Sequence, residues 1–204
     1  QFLLIMEQPG NYKKEKLTID IGKANLYSLL VFIPVGLFFV LPFIVIWHES
    51  ASWNTITEFF QSNNLSVYWG LPLTVLLVLF LGIAAHELLH GLAWSRFATK
   101  GFRSVKFGVI WKMVTPYCHC TEPLTVKHYI IGAIVPAIVL GIIPSIVGII
   151  TGSLALLVFG AFFTIASTGD FMVIDLLRKE KMSDLVQDHP SEAGCYIYRL
   201  NKNS

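Results

Sequence analysis

The sequence predicts an all-α membrane protein: four transmembrane helices, with a short β-hairpin or irregular segment between the second and third. Three observations point there. Hydrophobic residues make up 54% of the 204 positions and charged residues only 14%, against about 25% charged in soluble domains, and the mean hydropathy is +0.64. Four apolar runs, at about 27–47, 67–94, 129–150 and 154–177, each reach the roughly 20 residues that cross a bilayer. Four buried core helices of that length would leave too little polar sequence to cover them. Finally, the Lys and Arg residues are confined to the segments between and beyond these runs. The whole chain, 1–204, reads as a single integral-membrane domain.

Taken in order, residues 16–22, "KLTIDIG", alternate like a strand. The first span starts too late and is too long for a secretory signal, and no small-residue cleavage site follows it. Residues 101–124 hold "VKFGVIWKM", β-branched and aromatic with partial alternation, interrupted by "TP" and "EP". One or two short strands are expected there, forming a hairpin at the cytoplasmic face with which residues 16–22 could pair. Pro136 and Pro144 are expected to kink the third span. "GCYIYRL", residues 194–200, is another strand candidate.

Charge placement fixes the expected topology. The loop 48–66 has Glu49 and Glu58 but no Lys or Arg, and the loop 151–153 has no charge. All 15 Lys and Arg lie in the N-terminal segment, the central segment between spans two and three, and the C-terminal tail. Four spans put these on one side, and the positive-inside rule makes that side the cytoplasm, with both termini. No concentrated basic stripe with interleaved aromatics suggests nucleic acid as a partner. Cys118, Cys120 and Cys195 fall on the same reducing side, where a disulfide framework is not expected. The C-x-C of Cys118 and Cys120 lacks zinc-ribbon spacing.

The acidic residues inside the spans are Glu87, Asp170 and Asp175. Ionisable groups in spans are costly and usually functional. His86 and His90 are four apart, about 40° of rotation and about 6 Å of rise on a helix, so both imidazoles can share one cation. Glu87 lies about 100° further round, able to reach a metal-bound water without ligating the metal. This is H-E-x-x-H, the zinc-hydrolase signature. A catalytic zinc needs a third protein ligand. The midpoint of the histidines lies eight residues before Arg96, and Asp170 lies eight before Arg178, each about 12 Å of helix. Asp170 thus shares their depth and is the expected third ligand; the alternative is a polar residue hydrogen-bonded between helices. Asp175 is expected to pair with Arg178 or Lys179. The small run Ser167-Thr168-Gly169 would let helices approach. His119 and Glu122, in "YCHCTEPL", stand open between lining the site, binding substrate, supporting the ligands, and a solvated loop.

H-E-x-x-H on one span, a lone Asp two spans later and an irregular segment between them resemble the core of the site-2 proteases, over about residues 67–178. "HELLHG", "YCHCTEPL", "STGD" and "HPSEAGCYIY" more closely resemble a family of small bacterial membrane proteins described as putative zincin peptidases. The resemblance implies zinc held by His86, His90 and Asp170, with Glu87 as catalytic base, in a bacterial inner membrane. It also implies a membrane-protein or peptide substrate. The Asp departs from the site-2 pattern: here Gly precedes it, in "TGDFM". The leading expectation is an intramembrane zinc metalloprotease. The rival is a zinc-binding scaffold without turnover, which would need four protein ligands and no Glu87. A transporter is disfavoured because the outer halves of the spans carry no ionisable residue.

Overall fold

A computed structural model describes residues 12–19, 21–48, 65–111, 115–189 and 194–200. Residues 49–64, with Glu49 and Glu58, and 112–114, with the last two residues of "VKFGVIWKM", lie outside the described residues. The chain is mostly helical. Strand β1 (Tyr12–Thr18) leads into α1 (Ile21–Val35), a π-helical stretch (Gly36–Val40) and α2 (Leu41–Trp47). Helix α3 (Leu65–Ser95) is followed by a 3-10 turn (Gly101–Ser104) and strands β2 (Val105–Ile110), β3 (Thr115–Cys120) and β4 (Leu124–Thr125). Helix α4 (Val126–Pro136), a second π stretch (Ala137–Ile142), α5 (Ile143–Thr151), α6 (Leu154–Ala166) and α7 (Thr168–Leu177) come next, then β5 (Leu185–Asp188) and β6 (Gly194–Leu200).

Three helical segments are long and apolar enough to cross a membrane: Leu29–Trp47, Gly70–Ser95 and Val126–Thr151. A fourth qualifies only if α6 and α7 count as one span, because they meet at a 41° bend. The span expected over 154–177 is therefore broken at Ser167. Large apolar side chains stand exposed along these helices, among them Leu29, Phe38, Leu73, Phe80 and Ile150.

The expectation of an all-α chain needs correction on its strands. The hairpin between the second and third spans is there, as antiparallel β2–β3. A second, four-stranded sheet runs in the order β1-β6-β5-β4. β1 sits earlier than "KLTIDIG", because the helix already starts at Ile21, and it pairs with β6 rather than with the hairpin. Charge pairing explains that choice. Arg199 on β6 donates from Nε and Nη2 to both carboxylate oxygens of Glu180, each at 2.7 Å, and from Nη1 to Glu15 on β1. A bidentate guanidinium–carboxylate pair fixes geometry as well as adding energy.

The chain divides into two compact units. The first comprises residues 1–27, 87–136 and 167–204 and holds all 15 Lys and Arg. Its core joins helix to sheet: Trp94, Val126 and Leu177 from α3, α4 and α7 pack with Val186, Cys195 and Ile197 from β5 and β6. Cys195 and Ile197 are two apart, as one face of a strand requires. Helices α3 and α4 meet closely at Gly132, where an added Cβ would lie 2.0 Å from the Trp94 indole. That indole donates from Nε1 to the Tyr129 carbonyl at 3.0 Å.

The second unit, residues 28–86 and 137–166, has no Lys or Arg. Its two π stretches share one cause. Pro34 and Pro42 flank the first, Pro136 and Pro144 the second. Each later proline lacks an N–H and crowds the carbonyl four residues back, which a wider turn relieves. The kink expected in the third span thus takes the form of a π stretch. Helices α5 and α6 form a tight hairpin through Gly152, a left-handed cap with φ 70°. A Cβ at Gly160 would meet Ser145 N and Gly141 O at 2.5 Å. Because those contacts are backbone, Gly160→Ala is expected to cost about 1–3 kcal/mol, read as a lower unfolding temperature in detergent. Gly70→Ala, where a Cβ meets nothing within 4 Å, is expected to be neutral or to stabilise by up to about 1 kcal/mol.

Candidate metal centre

Helix α3 is unbroken from Leu65 to Ser95, so helical geometry alone stacks His86 and His90 on one face. His86 is the last α3 residue assigned to the second unit, and the continuous helix sets its place relative to His90. Asp170 comes from the first turn of α7, immediately after the break at Ser167. Helix N-termini favour a negative charge. His86, His90 and Asp170 each offer a ligand atom, and these atoms lie within 4.8 Å of one another. Both histidines are buried and Asp170 is partly so.

The hydrogen bonds of His90 define what this donor set lacks. Its Nδ1 lies 2.9 Å from the Gly132 carbonyl. A carbonyl only accepts, so Nδ1 donates. In neutral imidazole the lone pair is then on Nε2, which faces Asp170 Oδ1 at 3.2 Å. An imidazole lone pair and a carboxylate oxygen repel unless a positive charge joins them. That charge is either a proton or a cation, and His86 beside the pair offers a cation a third donor. Two imidazoles and one carboxylate oxygen suit zinc. A backbone carbonyl holding the other ring nitrogen is the usual support for a metal-ligating histidine. The residues fit the metal.

Glu87 is half-buried on α3, one residue from His86 and so about 100° around the helix. The hairpin packs against the same helix one turn on. At Gly91 a Cβ would lie 2.8 Å from the Phe107 ring, 2.9 Å from Val105 Cγ1 and 3.3 Å from Cys118 Sγ, so side chains of β2 and β3 pack closely on α3 there. Burial, followed by the charge of Glu87, pushes the Cys118 thiol up. Burial likewise raises Cys120 to about 11. Both thiols stay protonated at neutral pH, and neither joins the triad. All three cysteines are free.

The remaining candidates are not members of the triad. Asp175 bonds Arg178 at 3.1 Å, one turn away, and accepts from the Tyr27 hydroxyl at 2.8 Å. Ser167 and Thr168 are buried, as close approach requires, but Gly169 is exposed and a Cβ there would touch nothing within 4 Å; its smallness is not used for packing. His119, on β3, stacks on Tyr117. Glu122 is not with the triad. Its carboxylate accepts from Ser104 Oγ at 2.6 Å, Thr99 N at 2.8 Å, Lys100 N at 3.3 Å and the Thr99 hydroxyl, which organises the loop after α3. Sequence reasoning missed Asp188. It accepts from Cys120 N at 3.0 Å and from the Tyr129 hydroxyl, bridging β5 to β3 and α4. A lone acid in "QDHP" carries no periodicity that would mark it.

Burial alone would raise the Glu122 carboxyl, but its hydrogen bonds outweigh that and hold it below the ordinary carboxylate range. Its stabilisation is therefore complete above that range and fades as the pH falls through the folded value. Glu122→Gln is expected to lower stability by about 1–3 kcal/mol at neutral pH. In thermal unfolding the gap to wild type should begin to narrow as the pH falls below about 4.

No curated protein and no solved structure matches the chain. A family described as "Putative zincin peptidase" matches residues 79–185, more than half of the chain. That stretch contains H-E-x-x-H, the hairpin, Glu122 and Asp170. On this match, with zinc-compatible donors at its centre, the chain belongs to the putative zincin peptidase family.

Proposed function

We propose that the protein is an integral-membrane zinc metallopeptidase of the site-2 kind, cutting peptide bonds near the cytoplasmic face. The observation that carries this reading is the convergence of His86, His90 and Asp170 on apolar helices, with Glu87 next to the first ligand. The exposed Leu, Ile and Phe side chains of those helices support lipid as their solvent. The gathering of every Lys and Arg into one unit supports a cytoplasmic position for that unit.

His86, His90 and Asp170 would hold the metal, leaving a fourth position for water. A bound zinc ion would supply the Lewis acidity that activates this water and polarises the scissile carbonyl. The Gly132 carbonyl orients His90 and keeps its Nε2 as the ligating atom. The Glu87 carboxylate accepts the proton of the attacking water and returns it to the leaving amine. The burial of His86 and His90 limits the water around them.

The test is cleavage of a transmembrane peptide by purified protein, with zinc measured in the same samples. Glu87→Gln is expected to lower turnover by at least about 100-fold while keeping one zinc per chain. His86→Ala is expected to lose both. Equal turnover by wild type and Glu87→Gln would overturn the mechanism, and zinc retained without any turnover would favour the scaffold.

A further inference from the structure

A cavity of about 230 Å³ opens where β3, β5 and β6 approach one another, lined by His119, Cys120, Thr121, Gln187, Asp188 and Tyr196. Most of its neutral polar groups are already engaged. Gln187 donates from Nε2 to the Thr121 carbonyl at 2.8 Å and accepts from the Tyr198 hydroxyl at 2.9 Å. The Thr121 hydroxyl donates to the Ser104 carbonyl at 2.9 Å. Asp188 differs. Each of its oxygens takes one hydrogen bond, from Cys120 N and from Tyr129, whereas a carboxylate has about four acceptor sites. Among the described residues no Lys or Arg forms an ion pair with it. Asp188 is half-buried, and a nearby positive charge favours the ionised form of a carboxylate partly shielded from water.

Asp188 is also tied to the metal centre. Its donor Tyr129 stacks on Trp94, ring centroids 5.2 Å apart, and Trp94 stacks on His90 at 5.0 Å. Two stacked rings thus link the cavity's carboxylate to His90. Its rim accepts positive charge: the Lys14 ammonium sits 3.7 Å from the centroid of the Tyr196 ring, a cation–π contact.

We propose that this cavity receives an ammonium or guanidinium group of the substrate, with Asp188 as counter-charge and the Tyr196 and His119 rings as its walls. The inference rests on the peptidase reading in taking the ligand to be a Lys or Arg side chain of a peptide. It makes Asp188 a specificity residue. Burial pushes the Asp188 carboxyl up against the hydrogen bonds from Tyr129 and Cys120, and a bound cation relieves that cost.

The test is a binding measurement that needs no turnover. Full-length, zinc-loaded Glu87→Gln protein in detergent micelles is titrated with short fluorescent alanine-based peptides. Each carries Lys, Arg, norleucine or Glu at a single position, varied along the peptide. At one position Lys and Arg are expected to bind about tenfold more tightly than norleucine. Adding Asp188→Asn should bring that ratio to about one with zinc content unchanged, and Asp188→Glu should restore part of it. The chain has a net charge of +2, so bulk electrostatics favours the Glu peptide and cannot mimic the result. No Lys or Arg preference, a preference untouched by Asp188→Asn, or no peptide binding would each overturn the proposal. Failure of the peptidase reading shows separately, as cleavage by the Glu87-containing protein that is absent or independent of Glu87.

Discussion

The hydrogen bond from His90 Nδ1 to the Gly132 carbonyl is the constraint on which the rest of the site depends. It decides which ring nitrogen faces Asp170, and so makes the facing pair two acceptors 3.2 Å apart. Without it the imidazole could turn and donate to Asp170, and the three side chains would form an ordinary hydrogen-bonded cluster. With it Nε2 meets Asp170 through a positive charge, a proton or a cation, and His86 offers a cation a third donor. The bond needs the backbones of α3 and α4 close together, and Gly132 permits this by leaving room for Trp94. Trp94 then repeats the device one turn on, donating to the Tyr129 carbonyl. Two successive turns of α3 are thereby held on carbonyls of α4.

The surrounding architecture brings a third element to this pair. The break at Ser167 starts a new helix whose first turn carries Asp170, so the carboxylate reaches the site from a helix end. Strands β4 to β6 fill the space beside α4 and α7 with Leu124, Val186, Cys195 and Ile197. Glu122 fastens the loop by which α3 hands the chain to the hairpin, and the hairpin packs on α3 at Gly91. The apolar second unit contributes length and helix packing, through Gly148, Gly152 and Gly160, and carries no basic residue.

Much of this was legible in the sequence where the information is periodic. His86 and His90 at i and i+4 and the apolar runs follow from helical geometry, which a spacing encodes, and Asp170, singled out by its spacing from Arg178, lies beside the histidines. The pairing of Asp175 with Arg178 follows from spacing too. The hairpin followed from its alternation and breakers. What did not show depends on contacts between segments distant along the chain. The partner of β1 is chosen by Arg199 reaching Glu15 and Glu180. The role of Glu122 depends on the three donors Thr99, Lys100 and Ser104 arriving together. Asp188 has significance only through Tyr129 and the cavity. The bend at Ser167 and the π stretches are local, but a count of apolar residues does not distinguish them from a straight helix.

The central claim is that His86, His90 and Asp170 form a three-ligand zinc centre with an open position. The measurement that tests it most directly is X-ray absorption at the zinc edge of the zinc-loaded full-length protein. The expected spectrum has only nitrogen and oxygen neighbours at about 2.0–2.2 Å, two of them imidazoles, and His90→Ala, like His86→Ala, no longer retains the zinc. Sulfur scattering at about 2.3 Å, or an unchanged zinc environment in His90→Ala, would contradict it.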